Sequence, residues 1–372
     1  MRAACTFLFT GLLVGVVAQT TVDSISTVDG YRTYRVHTPP GFQPTEHLPL
    51  VLNLHGVGSD NVQQEVYSAM NAVADTERFV VVYPNGVNNS WNLGLGTVDE
   101  YGFFTALLDT LAITHGIDEN RTYACGMSQG GFMSFVLACA LYDRFAAIAS
   151  VAGSMALGLD LFCAPTRPVP VMMIHGTADG IVPYTGGIQN LAVPSVIDFW
   201  VAHNACDPVP AITPIPDIIA WDLCTAERED HINGDLGSEV ALIRVLGGGH
   251  TWPGSAIPLG VTNQDFSASQ AIWEFFDGHD LNGALSVPTT RHHAPNAVLV
   301  PTLFDDRTEL RNEGPEQVTV TVTDAMGRII ARSSLPGYGR QVFDTSAWPT
   351  GHYTWSLRHA GGSHTLRAVL VR

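Results

Sequence analysis

The sequence predicts an α/β protein with a mostly parallel central sheet, followed by a small all-β sandwich. Three observations carry this. From residue 31 to about 280, short continuous apolar runs alternate with stretches of helical length. Each apolar run lies near Gly, Pro, Asn or Asp. Beyond residue 286 the texture changes to short strands of period two. Strands that are apolar on every position are buried on both faces, which is the condition of a parallel sheet covered by helices.

Taken in order, residues 31–37 alternate apolar and polar, as an antiparallel edge strand would. Strands follow at 50–54, 79–83, 122–125, 147–151, 171–174 and 241–246. Residues 61–74, 101–114, 130–142 and 266–276 have the length and spacing of helices. The last starts with Asp265 or Ser267 as N-cap and puts Ile272, Phe275 and Phe276 on one face. Residues 286–297 are mostly polar, with Pro288, His292, His293 and Pro295, and read as a linker. In 298–372, the clean alternation Val318-Thr319-Val320-Thr321-Val322 and its repeats make a β-sandwich of roughly 75 residues.

The chain has 372 residues, which at roughly 150 per domain gives two domains. Charged residues are 14% and the net charge is −17, every basic residue being Arg. Such a surface repels phosphate backbones and anionic headgroups, and no local basic stripe offsets it, so a neutral substrate fits and nucleic acid does not. Arg2, an apolar stretch over 7–17 and small residues before Gln19 have the order of a secretory signal, so residues 1–18 are expected to be removed; the other reading is a buried N-terminal helix. No run is long enough for membrane insertion, and a domain of residues 19–285 remains.

Export would let the remaining cysteines oxidise. Cys206 and Cys224 flank a Pro-rich excursion and could close it, Cys139 with Cys163 is a second pairing, and Cys125 is left as a buried thiol. Spacing alone does not fix the connectivity. No C-x-x-C or H-E-x-x-H spacing exists, so no metal or other cofactor is expected.

Gly126-Met127-Ser128-Gln129-Gly130 matches G-x-S-x-G. An apolar strand leads into it and a helix opens after it, the setting of a serine nucleophile on a sharp strand-to-helix turn; without that setting it would be a packing turn with an inert serine. A serine hydroxyl needs a base, and the base an orienting carboxylate. The strand 171–174 runs into His175-Gly176-Thr177-Ala178-Asp179, and the strand 241–246 into Gly247-Gly248-Gly249-His250. Ser128, Asp179 and His250 therefore stand at three strand ends, in the order nucleophile, acid, base. His175 is expected to hydrogen-bond the same loop rather than react. A developing oxyanion would meet the N–H of Gln129 and, from the turn Leu54-His55-Gly56-Val57-Gly58, that of Val57.

These residues, with Phe79-Val80-Val81-Val82-Tyr83-Pro84, Trp91-Asn92, Asp99, Val182-Pro183-Tyr184 and Gly249-His250-Thr251-Trp252-Pro253-Gly254, resemble the secreted feruloyl esterase and polyhydroxybutyrate depolymerase group of carbohydrate esterase family one over roughly residues 30–280. The resemblance implies an α/β-hydrolase, a serine esterase with Ser128, Asp179 and His250 as its triad, and a bond between Cys206 and Cys224. It leaves open feruloyl or acetyl esters of xylan and hydroxyalkanoate polyester as substrates; the aromatic residues clustered in the expected site loops favour the xylan esters, with polyester as the alternative, and a non-catalytic binding protein on the same fold is the rival. Trp91 and Trp252 would stack on a ferulate ring or a sugar face, or simply pack their loops. Asp99 is unassigned. The C-terminal segment, through Asp324 to Ile330, Thr350-Gly351-His352-Tyr353 and Leu366 to Arg372, resembles the type A sorting domain of the type IX secretion system of Bacteroidetes. That implies the secretion machinery as partner; a substrate-binding module is the competing idea. The chain is expected to be a secreted monomer.

Overall fold

The structure is a computed structural model that describes residues 18–94, 96–285, 297–300, 303–304, 306–312, 317–324, 328–336, 339–359 and 362–370. The expected signal peptide (apart from its last residue) and nearly all of the expected linker lie outside the described residues. The chain divides into two compact units, residues 1–285 and 286–372.

The first unit is built on a ten-stranded sheet of β1 (Gln19–Thr27), β2 (Gly30–Thr38), β3 (Leu50–Leu54), β4 (Val80–Pro84), β5 (Thr122–Met127), β6 (Ala147–Val151), β7 (Val171–Gly176), β8 (Ala211–Ile215), β9 (Thr225–His231) and β10 (Val240–Leu246). The spatial order is β1-β2-β4-β3-β5-β6-β7-β10-β9-β8. The six strands from β4 to β10 in that order are mutually parallel, and the two at either edge are antiparallel. This is the mostly parallel sheet that the apolar runs predict. Alternation along β3 sends Leu50, Leu52 and Leu54 into one buried layer and Val51 into the other. Helices α1 (Asn61–Ser68), α2 (Met70–Glu77), α3 (Glu100–His115), α4 (Gln129–Ala140), α5 (Val193–His203) and α6 (Ala268–Phe276) contribute to these layers.

Several expectations are corrected. Residues 31–37 are antiparallel but not at the edge, because β1 pairs outside them over its whole length. The helix expected over 61–74 is two, broken where Ala69 takes φ 50°. Of the two N-caps weighed for α6, Ser267 accepts the Gln270 N–H. Helix α5 and the extension β8–β9 were not anticipated.

In the second unit, three strands (Ala297–Val300, Arg307–Asn312, Arg340–Asp344) form one sheet, and five form another in the order Leu303–Phe304, Gly362–Leu370, Gly351–His359, Val318–Asp324, Ile329–Leu335. Val318, Val320, Val322, Trp355 and Leu357 make its core, so the alternation read at 318–322 does point one face inward.

Candidate active site

Ser128 sits between β5 and α4 with φ 53° and ψ −120°, a region that L-residues enter only under constraint. Its N–H donates to Val151 O and its carbonyl accepts from Phe132 N–H, which fixes the turn. The flanking glycines are required. A Cβ on Gly130 would fall 2.1 Å from Leu54 O, and one on Gly126 2.6 Å from Leu54 O, so a side chain would drive α4 off β3 at the first position and β5 off β3 at the second.

The parallel pairing of β7 with β10 brings the next two residues together. Past the strand ends the loops stay joined: Thr177 N–H donates to Val245 O, Ala178 N–H to Gly248 O, and Gly247 N–H to Thr177 Oγ1. Gly176 has Gly248 O where a Cβ would be, at 2.2 Å, so the loops touch backbone to backbone. Across this seam His250 Nδ1 lies 2.8 Å from Asp179 Oδ2. A carboxylate only accepts, so the ring carries its proton on Nδ1 and leaves the Nε2 lone pair free to accept. Asp179 is buried, and its other oxygen accepts from Ile181 and Val182 N–H at 2.8 and 2.9 Å. Burial pushes its carboxyl up, but the His250 ring and the Val182 and Ile181 N–H groups outweigh that and hold it below the usual carboxylate range. Ser128 Oγ makes no hydrogen bond among the described residues; the structure joins Asp179 to His250 and leaves the hydroxyl unbonded at the end of β5, which β6 separates from β7. Such contacts commonly tighten only when substrate is bound.

His175 is buried, with Nε2 2.8 Å from Val182 O, Nδ1 3.2 Å from Gly153 O and Asp179 Oδ2 3.5 Å from Nε2. Burial pushes its ring below the usual imidazole range, against the pull of the two carbonyls and Asp179. It braces the Asp179 loop, as expected.

As the first helical residue of α4, Gln129 has a backbone N–H with no carbonyl in its own helix to reach. In the turn after β3, Gly58 N–H is taken by Asn89 O and Ser59 N–H by Gly56 O, whereas no acceptor among the described residues takes Val57 N–H. Both amides expected to meet an oxyanion are thus unoccupied.

The Gln129 side chain was missed. Its Oε1 accepts from Trp91 N–H at 3.0 Å, its Nε2 donates to Trp91 O at 3.1 Å, and both atoms reach Ser90 Oγ. Trp91 Nε1 donates to His55 O at 2.8 Å and its ring lies against the His55 imidazole, whose Nε2 accepts from Gly86 N–H. A chain of hydrogen bonds therefore runs from the residue after Ser128 to the turn that carries Val57. The pattern G-x-S-x-G names only the backbone of that residue, so no sequence signal marked its amide.

Here the packing reading of the two tryptophans holds and the expected Cys206–Cys224 bond does not form. Trp91 and Trp252 are 3% and 1% exposed, Trp252 with its N–H on Ser269 Oγ, so both pack their loops and neither offers a face to substrate. Cys206 and Cys224 are free; the bond present joins Cys139 to Cys163. Cys206 packs in the layer on one face of the sheet and Cys224 in the layer on the other, so the sheet itself separates them. Asp99 is the N-cap of α3, accepting from Gly102 N–H. Among the described residues no three His, Cys, Asp or Glu are placed to hold a metal ion, and no helix is long and apolar enough to cross a membrane.

A family model described as "Putative esterase" matches residues 25–179. "Putative esterase NocK" of Nocardia uniformis subsp. tsuyamanensis is 30% identical over 289 residues, 70% of this chain and 83% of that protein. Feruloyl esterase C of Emericella nidulans is 27% identical over 265 residues, 69% of this chain and 87% of that protein. The solved acetyl xylan esterase from Aspergillus awamori superposes with a TM-score of 0.50 at 14% identity, covering 69% of this chain and 99% of that one, which shows a shared fold. With an α/β-hydrolase sheet, a strained serine elbow and a relative matched across most of its length, the chain belongs to the esterase family and is a serine carboxylic-ester hydrolase.

Proposed function

We propose that Ser128, His250 and Asp179 are the catalytic triad and that the substrates are feruloyl or acetyl esters of xylan. The observation that carries the triad is the 2.8 Å Asp179–His250 bond, with the strained Ser128 elbow at the same end of the parallel sheet. Ser128 Oγ attacks the ester carbonyl while His250 Nε2 takes its proton, and Asp179 steadies the imidazolium. The oxyanion accepts from Gln129 and Val57 N–H. His250 returns the proton to the departing alcohol, then activates the water that hydrolyses the acyl-enzyme. Relatives named feruloyl esterase and acetyl xylan esterase support the substrate class.

Ser128→Ala is expected to lose p-nitrophenyl acetate turnover by on the order of 10⁴-fold or more. A wild type no faster than that variant refutes the triad. Turnover of methyl ferulate and acetylated xylan above that of polyhydroxybutyrate film supports the substrate class, and the reverse order transfers it to polyester. The Cys139–Cys163 bond fits an exported protein. On that reading residues 298–372 are a removable sorting address, and an exported chain that keeps them free in the medium, seen by mass spectrometry, counts against it.

A further inference from the structure

The connection between β8 and β9 lies beside the His250 turn. β9 begins with Thr225 opposite Leu246 at the end of β10, so residues 216–224 stand at the same edge of the sheet as Ser128, Asp179 and His250. Leu223 O lies 3.3 Å from where a Cβ on Gly247 would be, three residues before His250. The loop is held there by side chains. Asp265 Oδ1 accepts from both Ile218 and Ile219 N–H at 2.8 Å, Asp222 Oδ2 accepts from Gln264 N–H at 2.8 Å, and Asp222 N–H closes a turn onto Ile219 O. The segment it grips returns to the same turn, since Gly249 N–H donates to Val261 O.

A loop pinned this firmly nevertheless holds apolar side chains in water. Ile218, Trp221 and Leu223 are 63%, 75% and 77% exposed, and Leu223 takes φ 69°, a conformation costly for a branched-chain residue. Among the described residues Trp221 is the strongly exposed tryptophan; Trp91, Trp200, Trp252 and Trp273 in the same unit are no more than 4% exposed. An ordered apolar display on the loop that touches the turn leading to His250 marks a contact surface.

We infer that residues 216–224 form a binding site for the sugar backbone of an uncharged polysaccharide, with the Trp221 indole stacking on a pyranose face. This rests on the esterase reading above. The acids of the loop and the net charge of −17 repel an anionic polymer. Exposed Asp217 is an acceptor that sugar hydroxyls satisfy, whereas a polyester has acceptors only and nothing to donate.

Adsorption to insoluble acetylated xylan, measured on the Ser128→Ala protein so that no ester is consumed, is the test. Adding Trp221→Ala is expected to lower the binding constant about three- to tenfold, Trp221→Phe to restore most of it, and Ile113→Ala, an exposed apolar change on α3, to do nothing. In the Ser128 enzyme the same Trp221→Ala change lowers kcat/KM on acetylated xylan several-fold more than on p-nitrophenyl acetate. Xylo-oligosaccharides should also blue-shift the tryptophan emission of the Ser128→Ala protein, and not of its Trp221→Phe form, a readout independent of whether the alanine variant folds. Unchanged adsorption with unchanged emission overturns the site, and loss of adsorption to polyhydroxybutyrate film but not to xylan overturns the saccharide. A wild type that hydrolyses no ester refutes the esterase reading alone, since adsorption still scores the loop.

Discussion

The chemistry of single residues is set by what their polar atoms face. Asp179 keeps its carboxyl ionised because His250 and two backbone N–H groups outweigh the cost of burial. A carboxyl with a depressed native pKa contributes stability that is complete above its unfolded value of about 3.9 and is lost as pH falls through its native value. Asp179→Asn is therefore expected to lower Tm at pH 6 and by less at pH 3, a gap that thermal unfolding at the two pH values measures. The same variant is expected to cut kcat by on the order of 10³–10⁴-fold, because the amide favours the wrong His250 tautomer. On the proposed triad reading, the Gln129 side chain, bonded to Trp91, is a positioning group apart from its backbone N–H. Gln129→Ala leaves its backbone N–H in place but frees the turn that carries Val57, with an expected fall in kcat of about 10- to 100-fold and little change in KM. An unchanged kcat would reduce the amide to a packing role.

At the level of elements, glycines decide how closely strands and helices approach, and covalent bonds decide what stays attached. Gly130→Ala would put a methyl into Leu54 O. The expected loss is about 2 kcal/mol or more, a fall in Tm of about 4–8 °C. The Cys139–Cys163 bond ties α4 to the segment before β7 and closes a loop of sequence separation 24. On the loop-entropy model it contributes about 3–4 kcal/mol. Cys139→Ser should destabilise the first unit by that order, and a reductant should then lower its Tm no further. Cys206→Ser and Cys224→Ser should leave the response to reductant intact, which denaturant curves with and without reductant would show.

Over the whole chain, two units with separate cores predict two calorimetric transitions, of which only one moves when Cys139 is replaced. Most of the sheet could be read from the sequence because β3 to β7 and β10 are buried on both faces and so carry uninterrupted apolar runs. β8 and β9 escaped notice because they extend the sheet where it meets water: β8 is almost wholly exposed and β9 reads Thr-Ala-Glu-Arg-Glu-Asp-His, with no apolar stripe. The break at Ala69 escaped because alanine, the best of helix formers, gives no sign of a left-handed turn.

By itself, the sequence determined the parallel sheet and the order in which Ser128, Asp179 and His250 follow three of its strands, since burial pattern and turn chemistry are local properties. Which cysteines meet, which tryptophans face water and which amide latches the Val57 turn were decided only by tertiary packing. Cys206 and Cys224 are near in sequence yet divided by a sheet, Trp91 is drawn under its loop by Gln129 and His55, and Trp221 is held outward by two aspartates from different loops. Each depends on pairs of residues whose separation along the chain says nothing of their distance in space.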